Sequence, residues 1–213
     1  MTYVMSDIHG ESDRFYKMLD LIKFSPADTM YILGDVIDRG IDGVDLLLDI
    51  MQRPNMIMLM GNHEDMMLNT LGPNSFPEAR ALWTQNGGNQ TRRELLYHRT
   101  SEDRRKILSF CRGLPSIMDI EVNGVGYALV HGYPSDKYLD QIWGRVEADS
   151  NFVGTTVIVG HTPTCYLTGN FREPFSIYHG NGFMDIDCGC GNMSIPFRRL
   201  ACLRIEDLEE FYV

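Results

Sequence analysis

Acidic, amide and imidazole side chains recur at the ends of short apolar segments in this sequence. They occur in Asp7-Ile8-His9, Gly34-Asp35, Gly61-Asn62-His63-Glu64, His131-Gly132 and Gly160-His161. Four of the six histidines lie at such positions, whereas His98 and His179 do not and are interpreted as surface or structural residues. Oxygen and imidazole ligands without thiolates suit divalent Mn, Fe or Zn. The pattern predicts a metal site, although any one of these residues alone would fit an ordinary polar loop.

The apolar segments before these residues have the length and composition of buried β-strands. Continuous apolar runs indicate strands covered on both faces, and such sheets collect ligands beyond the carboxyl ends of their strands. Between the first three runs, Ser12–Ile22 and Gly43–Met51 carry apolar residues at helical spacing. The order βαβαβ predicts an α/β fold.

The rest of the chain is expected to form one domain over residues 1–213, with a helical insertion at about 65–115. Glu78–Trp83 and Ser101–Arg112 have helical patterns, with Ser101 as the predicted cap, and residues 86–89 form a predicted turn. After the insertion we predict a hairpin and further strands at Met118–Val122, Val125–Val130, Phe175–His179, Phe183–Ile186 and Leu200–Ile205.

The composition argues against several classes of partner and location. A formal charge of −10 over 213 residues argues against a nucleic-acid duplex or an anionic membrane as partner. No apolar run approaches the length of a membrane span, and Asp7 comes too early for a signal peptide. The odd set of five cysteines favours a reduced, cytoplasmic protein with buried and inert thiols.

Five ordered motifs resemble those of the calcineurin-like metallophosphoesterases. They are Ser6-Asp7-Ile8-His9-Gly10, Gly34-Asp35-Val36-Ile37-Asp38-Arg39-Gly40, Gly61-Asn62-His63-Glu64, His131-Gly132 and Gly160-His161-Thr162-Pro163. The long second and third motifs resemble the phosphoprotein phosphatase branch. Trp83 to Gly88 and Ile142-Trp143-Gly144-Arg145 resemble the compact bacterial and bacteriophage serine/threonine protein phosphatases. The resemblance implies a four-layer α/β/β/α sandwich with two metals at the strand ends.

The resemblance also implies a role for each motif residue. Asp7 and His9 would hold the first metal, Asp35 would bridge both, and Asn62, His131 and His161 would hold the second. His63 would be the catalytic imidazole paired with Asp38, while Arg39 and Arg145 would bind the phosphate. Arg145 also fits an ordinary surface arginine, and Glu64 fits either a support for the ligands or an acid at a helix start.

These roles are consistent with the chemistry of phosphoryl transfer. A bridging carboxylate holds two cations about 3.5–4 Å apart, and the cations lower the pKa of the water between them. The resulting hydroxide would attack phosphorus in line with the leaving oxygen. A departing serine alkoxide is a strong base, so an imidazole oriented by a carboxylate would supply its proton.

The expected activity is that of a serine/threonine protein phosphatase acting on phosphoproteins or phosphopeptides, with two divalent metal ions, preferably Mn²⁺. The alternative is a bis(5'-nucleosyl)-tetraphosphatase or related nucleoside polyphosphate hydrolase, for which Trp83 and Tyr97 offer aromatic platforms. A non-catalytic phosphate-binding relative would lack a ligand or His63, and neither is missing. The motifs depart from the family at Ser6, usually Gly, and at Cys190, whose reactivity stays open.

Overall fold

The computed structural model describes residues 1–73 and 75–213. In chain order the elements are β1 (Thr2–Met5), α1 (Ser12–Leu21), β2 (Thr29–Ile32), α2 (Gly43–Met51), β3 (Met56–Met58), α3 (Asn62–Leu71), α4 (Pro77–Gln85), α5 (Asn89–Arg93), a π-helical turn (Glu94–His98), α6 (Ser101–Arg112), β4 (Ile117–Val122), β5 (Val125–Val130), α7 (Tyr138–Trp143), β6 (Thr156–Val159), α8 (Thr164–Thr168), β7 (Tyr178–His179), β8 (Phe183–Asp185), β9 (Ala201–Arg204) and β10 (Glu209–Tyr212).

Two five-stranded mixed sheets form the centre of the fold. The first has the order β10-β9-β1-β2-β3 and the second the order β4-β5-β6-β8-β7. The neighbours β1, β2 and β3 are parallel, as are β5, β6 and β8, so each sheet has several carboxyl ends on one edge. The predictions of an α/β fold, of the βαβαβ unit and of the hairpin β4–β5 are confirmed.

Alternation along the strands separates the layers. In β1, Val4 faces a buried cluster that also contains Leu129 and Ile158 of the second sheet. Its neighbours Tyr3 and Met5 instead join a cluster with residues of α1, α2 and α6. Successive side chains of a strand point to opposite faces, so β1 packs against the other sheet on one side and against helices on the other. Helices flank the paired sheets, as expected for the four-layer arrangement.

The cap of α6 differs from the sequence prediction. Thr100, not Ser101, occupies the N-cap, where its extended backbone lets Oγ1 accept from the Asp103 N–H at 3.1 Å. Ser101 is already helical. A hydroxyl at either position would fit the sequence pattern, and only the backbone angle distinguishes them.

The predicted strand at Phe175–His179 is shorter than expected, because only Tyr178–His179 pairs with β8. The apolar side chains before it are buried, but their backbone finds other partners: Phe175 N–H donates to Phe197 and Ile177 N–H to the Tyr212 hydroxyl. The segment is therefore apolar because its side chains are buried, and most of its backbone does not form a strand. Strand β10 was not predicted.

The described residues of the 65–115 stretch contain helices and loops; residue 74, within it, lies outside the described residues. Within the described chain, no helix combines the length and the apolar character needed to cross a bilayer. The assignment of residues 1–213 to a single domain stays a prediction.

Candidate metal centre

The ten residues singled out from the sequence lie in loops or at the first turn of a helix. Asp7 and His9 follow β1; Asp35, Asp38 and Arg39 follow β2; Asn62 and His63 begin α3 after β3; His131 and His161 follow β5 and β6; and Arg145 follows α7. The fold therefore brings the carboxyl ends of five strands, from both sheets, to one site.

Two groups of atoms that could hold a metal share Asp35; one includes His63, predicted as the catalytic imidazole rather than as a ligand, and neither includes Asp7, a predicted ligand. Within each group, His9, Asp35 and His63 in one and Asp35, His131 and His161 in the other, the atoms lie within 4.8 Å of one another. Asp35 Oδ2 lies 3.5 Å from His9 Nε2 and 3.5 Å from His131 Nε2. This carboxylate stands between the groups, in the position that a bridging ligand needs.

The hydrogen bonds of His131 show which of its two ring nitrogens carries the proton and which presents a lone pair to the site. Its Nδ1 lies 2.7 Å from the Leu33 carbonyl oxygen, which can only accept, so Nδ1 carries the proton. Nε2 then faces Asn62 Oδ1 at 3.0 Å and His161 Nδ1 at 3.2 Å. The lone pairs of His131 Nε2 and Asn62 Oδ1 face each other, which a cation between them would stabilise, and the backbone bond behind His131 is the usual support for a metal-binding imidazole.

His9 has the same arrangement. Its Nδ1 donates to the Ile37 carbonyl at 3.1 Å, so Nε2 presents its lone pair to Asp35 and to Asp7 Oδ1, the latter at 3.8 Å. The other oxygen of Asp7 accepts from Ser6 Oγ at 2.5 Å and from the His161 N–H at 3.0 Å. Asp7 therefore presents one oxygen to the site and is held by the other, and Ser6 supplies part of that support.

Burial and mutual charge set the protonation states. Burial opposes ionisation of Asp35, but the imidazoles of His131, His63, His9 and His161 together lower its pKa well below the usual range. Burial, followed by neighbouring positive groups, lowers the pKa of His9 strongly and that of His161 to about 3. These two imidazoles are neutral at physiological pH, which is the form that binds a metal.

Backbone strain is concentrated at the same residues. Nine non-glycine residues of the described chain have positive φ, and six of them belong to the predicted site: Asp7, His9, Asp35, Asp38, Arg39 and His161. Positive φ is uncommon outside glycine, and residues held in such conformations cluster at functional sites. These conformations turn the chain sharply after β1, β2 and β6 and direct the side chains into the site.

Glu64 supports the loop that follows β2. It is fully buried, and its two oxygens accept from the backbone N–H groups of Asp35 at 2.9 Å, Val36 at 3.0 Å, Ile37 at 3.4 Å and Gly61 at 3.2 Å. Burial, followed by the charge of Asp35, raises its pKa to about 7, while the hydrogen bonds oppose that change. Of the two interpretations of Glu64, the geometry favours the support for the ligands.

His63 and Asp38 form a buried pair beside Asp35. His63 Nδ1 lies 2.6 Å from Asp38 Oδ2, and His63 Nε2 lies 3.2 Å from Arg39 Nη2. Burial lowers the pKa of His63, but Asp35 and the hydrogen bond to Asp38 outweigh it and raise the pKa above its usual value. The imidazole is therefore oriented by Asp38, and both carboxylates favour its charged form, whereas the neighbouring Arg39 opposes that form.

A cleft of about 510 Å³ opens from this site to solvent. It is lined by Asp35, Arg39, Asn62, Arg145 and His161, together with Trp143, Tyr166 and Glu147. Arg145 donates to Thr162 Oγ1 at 2.9 Å, which holds its guanidinium at the cleft. Arg145 is thus more than an unconstrained surface residue, and both arginines are exposed to an incoming anion.

Two aromatic residues that the sequence suggested as platforms for a base are not found among the described residues that line the cleft. Trp83 is 1% exposed and donates to Asp38, so it is no platform for a base. Tyr97 is exposed, but it is absent from the described residues that line the cleft. Tyr166, which does line it, was missed because a lone tyrosine in a short helix carries no local signal.

The donor set fits a pair of divalent cations. The acceptor atoms around Asp35 are nitrogen and oxygen, His161 Nε2 is buried without a hydrogen-bond partner in the described chain, and the cysteines do not contribute. Cys190 is buried with its sulfur 3.7 Å from the Ile8 carbonyl, and burial raises its pKa to about 12. Nitrogen and oxygen ligands of this kind suit Mn, Fe or Zn. His98 and His179 are exposed and lie outside both groups.

Comparison with known proteins agrees with this geometry. A family model described as "Calcineurin-like phosphoesterase" matches residues 2–185. "Serine/threonine-protein phosphatase 1" of Salmonella typhimurium is 30% identical over 138 residues, which cover 64% of this chain and 61% of that protein. "Bis(5'-nucleosyl)-tetraphosphatase, symmetrical" of Xylella fastidiosa is 27% identical over 142 residues, covering 66% of this chain and 44% of that protein. The matched region thus spans less than two thirds of either relative.

The fold has counterparts among solved structures. A metallophosphoesterase from Sphaerobacter thermophilus superposes with a TM-score of 0.61 at 18% identity, covering 100% of this chain and 87% of that one. At this identity the likeness concerns the fold alone.

Proposed function

The chain belongs to the calcineurin-like phosphoesterase family, and from this premise we propose that it hydrolyses phosphoserine and phosphothreonine in proteins. The resemblance seen in the sequence is confirmed at the level of the family. The choice of substrate within it is our proposal, supported by the buried His63–Asp38 pair at 2.6 Å beside Asp35 and by a cleft open to solvent.

Two divalent cations, for which we propose Mn²⁺, would supply Lewis-acid activation of water and phosphate. We propose that Asp7, His9, Asp35, Asn62, His131 and His161 hold them. Asp35 would contact both, since its Oδ2 lies 3.5 Å from a nitrogen of each group. Glu64 and Ser6 would keep the ligands oriented through the hydrogen bonds described above.

Arg39 and Arg145 would bind the phosphate oxygens. A guanidinium offers paired N–H donors to a tetrahedral anion, and such charge-assisted bonds are strong in a partly enclosed cleft. Because both residues are exposed and line the cleft, they can reach a phosphate carried on a protein chain.

His63 would donate the proton that the leaving oxygen needs. As a water oxygen bonds to phosphorus and the P–O bond to the seryl or threonyl oxygen breaks, the electron pair stays on the leaving oxygen and a proton moves to that oxygen from His63 Nε2. Asp38 keeps the Nδ1 proton and fixes the ring orientation. In the structure Arg39 Nη2 can only donate to Nε2, at 3.2 Å, so we propose that Nε2 carries the proton once Arg39 turns to bind the phosphate.

The second candidate is hydrolysis of nucleoside polyphosphates. The relative from Xylella fastidiosa carries that name, and the rings of Trp143 and Tyr166 in the cleft could stack on a base. Two features favour the phosphoprotein: Glu147 would repel a polyphosphate chain, and Trp83, expected as a platform, is buried. The five free, buried cysteines support a cytoplasmic location, which we also propose.

A paired substrate assay distinguishes the candidates. Purified protein supplied with Mn²⁺ is given a phosphoserine peptide or diadenosine tetraphosphate, and kcat/KM is compared. We expect the peptide to be preferred; a preference of more than roughly a hundredfold for the dinucleotide would overturn the proposal.

A substitution tests the proton donor. His63→Asn should leave the bound metal unchanged and lower turnover of the phosphoserine peptide by roughly 10²–10⁴. The exposed His98 provides the matched control, since His98→Asn should leave turnover unchanged. Unchanged turnover of the peptide in His63→Asn would show that the acid is misassigned.

A further inference from the structure

Trp83 of α4 makes a hydrogen bond inside the site rather than a surface contact. Its side chain is 1% exposed, and its indole Nε1 donates to Asp38 Oδ2 at 2.6 Å. The same oxygen accepts from His63 Nδ1 at 2.6 Å. Oδ2 of Asp38 thus accepts two hydrogen bonds, one from His63 of α3 and one from Trp83 of α4.

The other oxygen of Asp38 has no such support. Asp38 is fully buried, and its Oδ1 has no hydrogen-bond partner in the described part of the chain. The carboxylate is therefore oriented by the two donors on Oδ2 alone. If one donor is removed, a single hydrogen bond remains to prevent rotation of the Asp38 carboxylate.

The surrounding backbone holds Trp83 in place. A Cβ on Gly88 would lie 2.2 Å from the indole Cδ1 and Nε1, so only glycine permits the ring to lie there. The Arg39 N–H donates to the Gly87 carbonyl at 3.2 Å, and the Asp38 N–H donates to Thr91 Oγ1 at 3.0 Å. The same short segment therefore orients the indole and binds the backbone of both Asp38 and Arg39.

We propose that Trp83 is a positioning residue for proton donation: its indole N–H holds Asp38 so that Oδ2 faces His63 Nδ1. The inference rests on the proposed role of His63 as the acid. As a water oxygen bonds to phosphorus and the P–O bond to the leaving group breaks, the electron pair stays on the leaving oxygen, which takes a proton from His63 Nε2; Asp38 keeps the Nδ1 proton in place, and one water proton passes to solvent. The second donor on Oδ2 adds a fixed contact that keeps this oxygen directed at His63.

Trp83→Phe tests this role because it keeps a ring in the cavity and removes the N–H. The assay compares a phosphoserine peptide, whose alkoxide needs a proton, with p-nitrophenyl phosphate, whose leaving phenolate is stable without one. We expect kcat for the peptide to fall about tenfold or more, a part of the roughly 10²–10⁴ that a positioned acid contributes. For p-nitrophenyl phosphate we expect a change of less than about twofold.

A buried ring elsewhere provides the control for packing. Phe15 is fully buried in α1, and Phe15→Leu should lower stability without separating the two substrates. An equal loss on both substrates in Trp83→Phe, as in the control, would reduce Trp83 to a packing residue and overturn the proposal. If the unsubstituted protein hydrolyses neither substrate, the proposed function itself has failed.

A spectroscopic measurement tests the contact even if Trp83→Phe does not fold. The chain has two tryptophans, so ¹⁵N-labelled protein should give two indole N–H signals. We expect the Trp83 signal to exchange slowly with solvent and to move in Asp38→Asn, while the signal of Trp143 stays in place. If neither signal moves, the hydrogen bond is absent in solution and the proposal fails.

Discussion

Glu64→Gln should destabilise the loop that carries Asp35, and the structure allows the effect to be estimated. Oε1 of Glu64 accepts two backbone N–H groups and Oε2 accepts two more. Glutamine has nearly the same shape but presents an NH₂ group in place of one oxygen. Whichever way the amide lies, two buried N–H donors then face another donor.

A buried donor left without an acceptor costs about 1–3 kcal/mol, so two of them cost about 2–6 kcal/mol; because the neutral amide also removes the cost of burying the Glu64 charge, we expect the free energy of unfolding to fall by an amount near the lower end of this range. Even the lower value corresponds to a fall in Tm of roughly 4–8 °C for a chain of this size. Because the released donors belong to Asp35 and its neighbours, we also expect weaker metal binding.

The measurement is thermal and urea unfolding at a pH above about 7, the value to which burial and Asp35 raise the pKa of Glu64, so that the carboxylate is ionised. Glu102→Gln is the matched control, since Glu102 is 65% exposed and paired only with Lys106. The control should change stability by less than about 0.5 kcal/mol. If Glu64→Gln shifts Tm no further than this control, the support assigned to Glu64 is wrong.

Three further outcomes are expected. Asp35→Asn should lower the metal bound per chain by roughly half or more, because one carboxylate lies between both groups, whereas the exposed Asp119→Asn should not; elemental analysis measures this. Burial raises the pKa of Cys190 to about 12, so the native protein should resist a thiol reagent until denaturant is added, and rapid reaction of the native thiols would contradict the burial. Tyr166→Ala should raise KM for a phosphopeptide about fivefold with kcat unchanged, and Tyr166→Phe should not, if the ring contacts the substrate.

The strands near the site could be predicted because their signal is local. Runs such as Tyr3-Val4-Met5 are apolar on both faces, and the polar residues begin where the run ends. Parallel strands place their carboxyl ends together, so the order of elements already predicts that Asp7 and Asp35 approach each other. The runs of the second sheet carry the same kind of signal at His131 and His161.

The errors had two causes, a choice between neighbouring residues of the same chemistry and partners that are distant in the sequence. Ser101 and Thr100 are chemically equivalent as caps, and the backbone angle at Thr100 decided between them. Phe175 was predicted to lie in a strand because it is apolar, but it is buried without joining the ladder. Trp83 was considered as a platform for a base under the alternative activity, because nothing in its helix indicates which face is covered.

The sequence by itself determined which side chains can bind a cation and that they follow strands, because residue type and periodicity are properties of short segments. The packing of the two sheets and of the helices between β3 and β4 decided which of these side chains lie next to one another. It holds Asp7 through the N–H of His161, 154 positions away, it turns Glu64 into the support of another loop, and it directs Trp83 to Asp38. Such contacts depend on the tertiary arrangement of separate elements, and no local pattern encodes them.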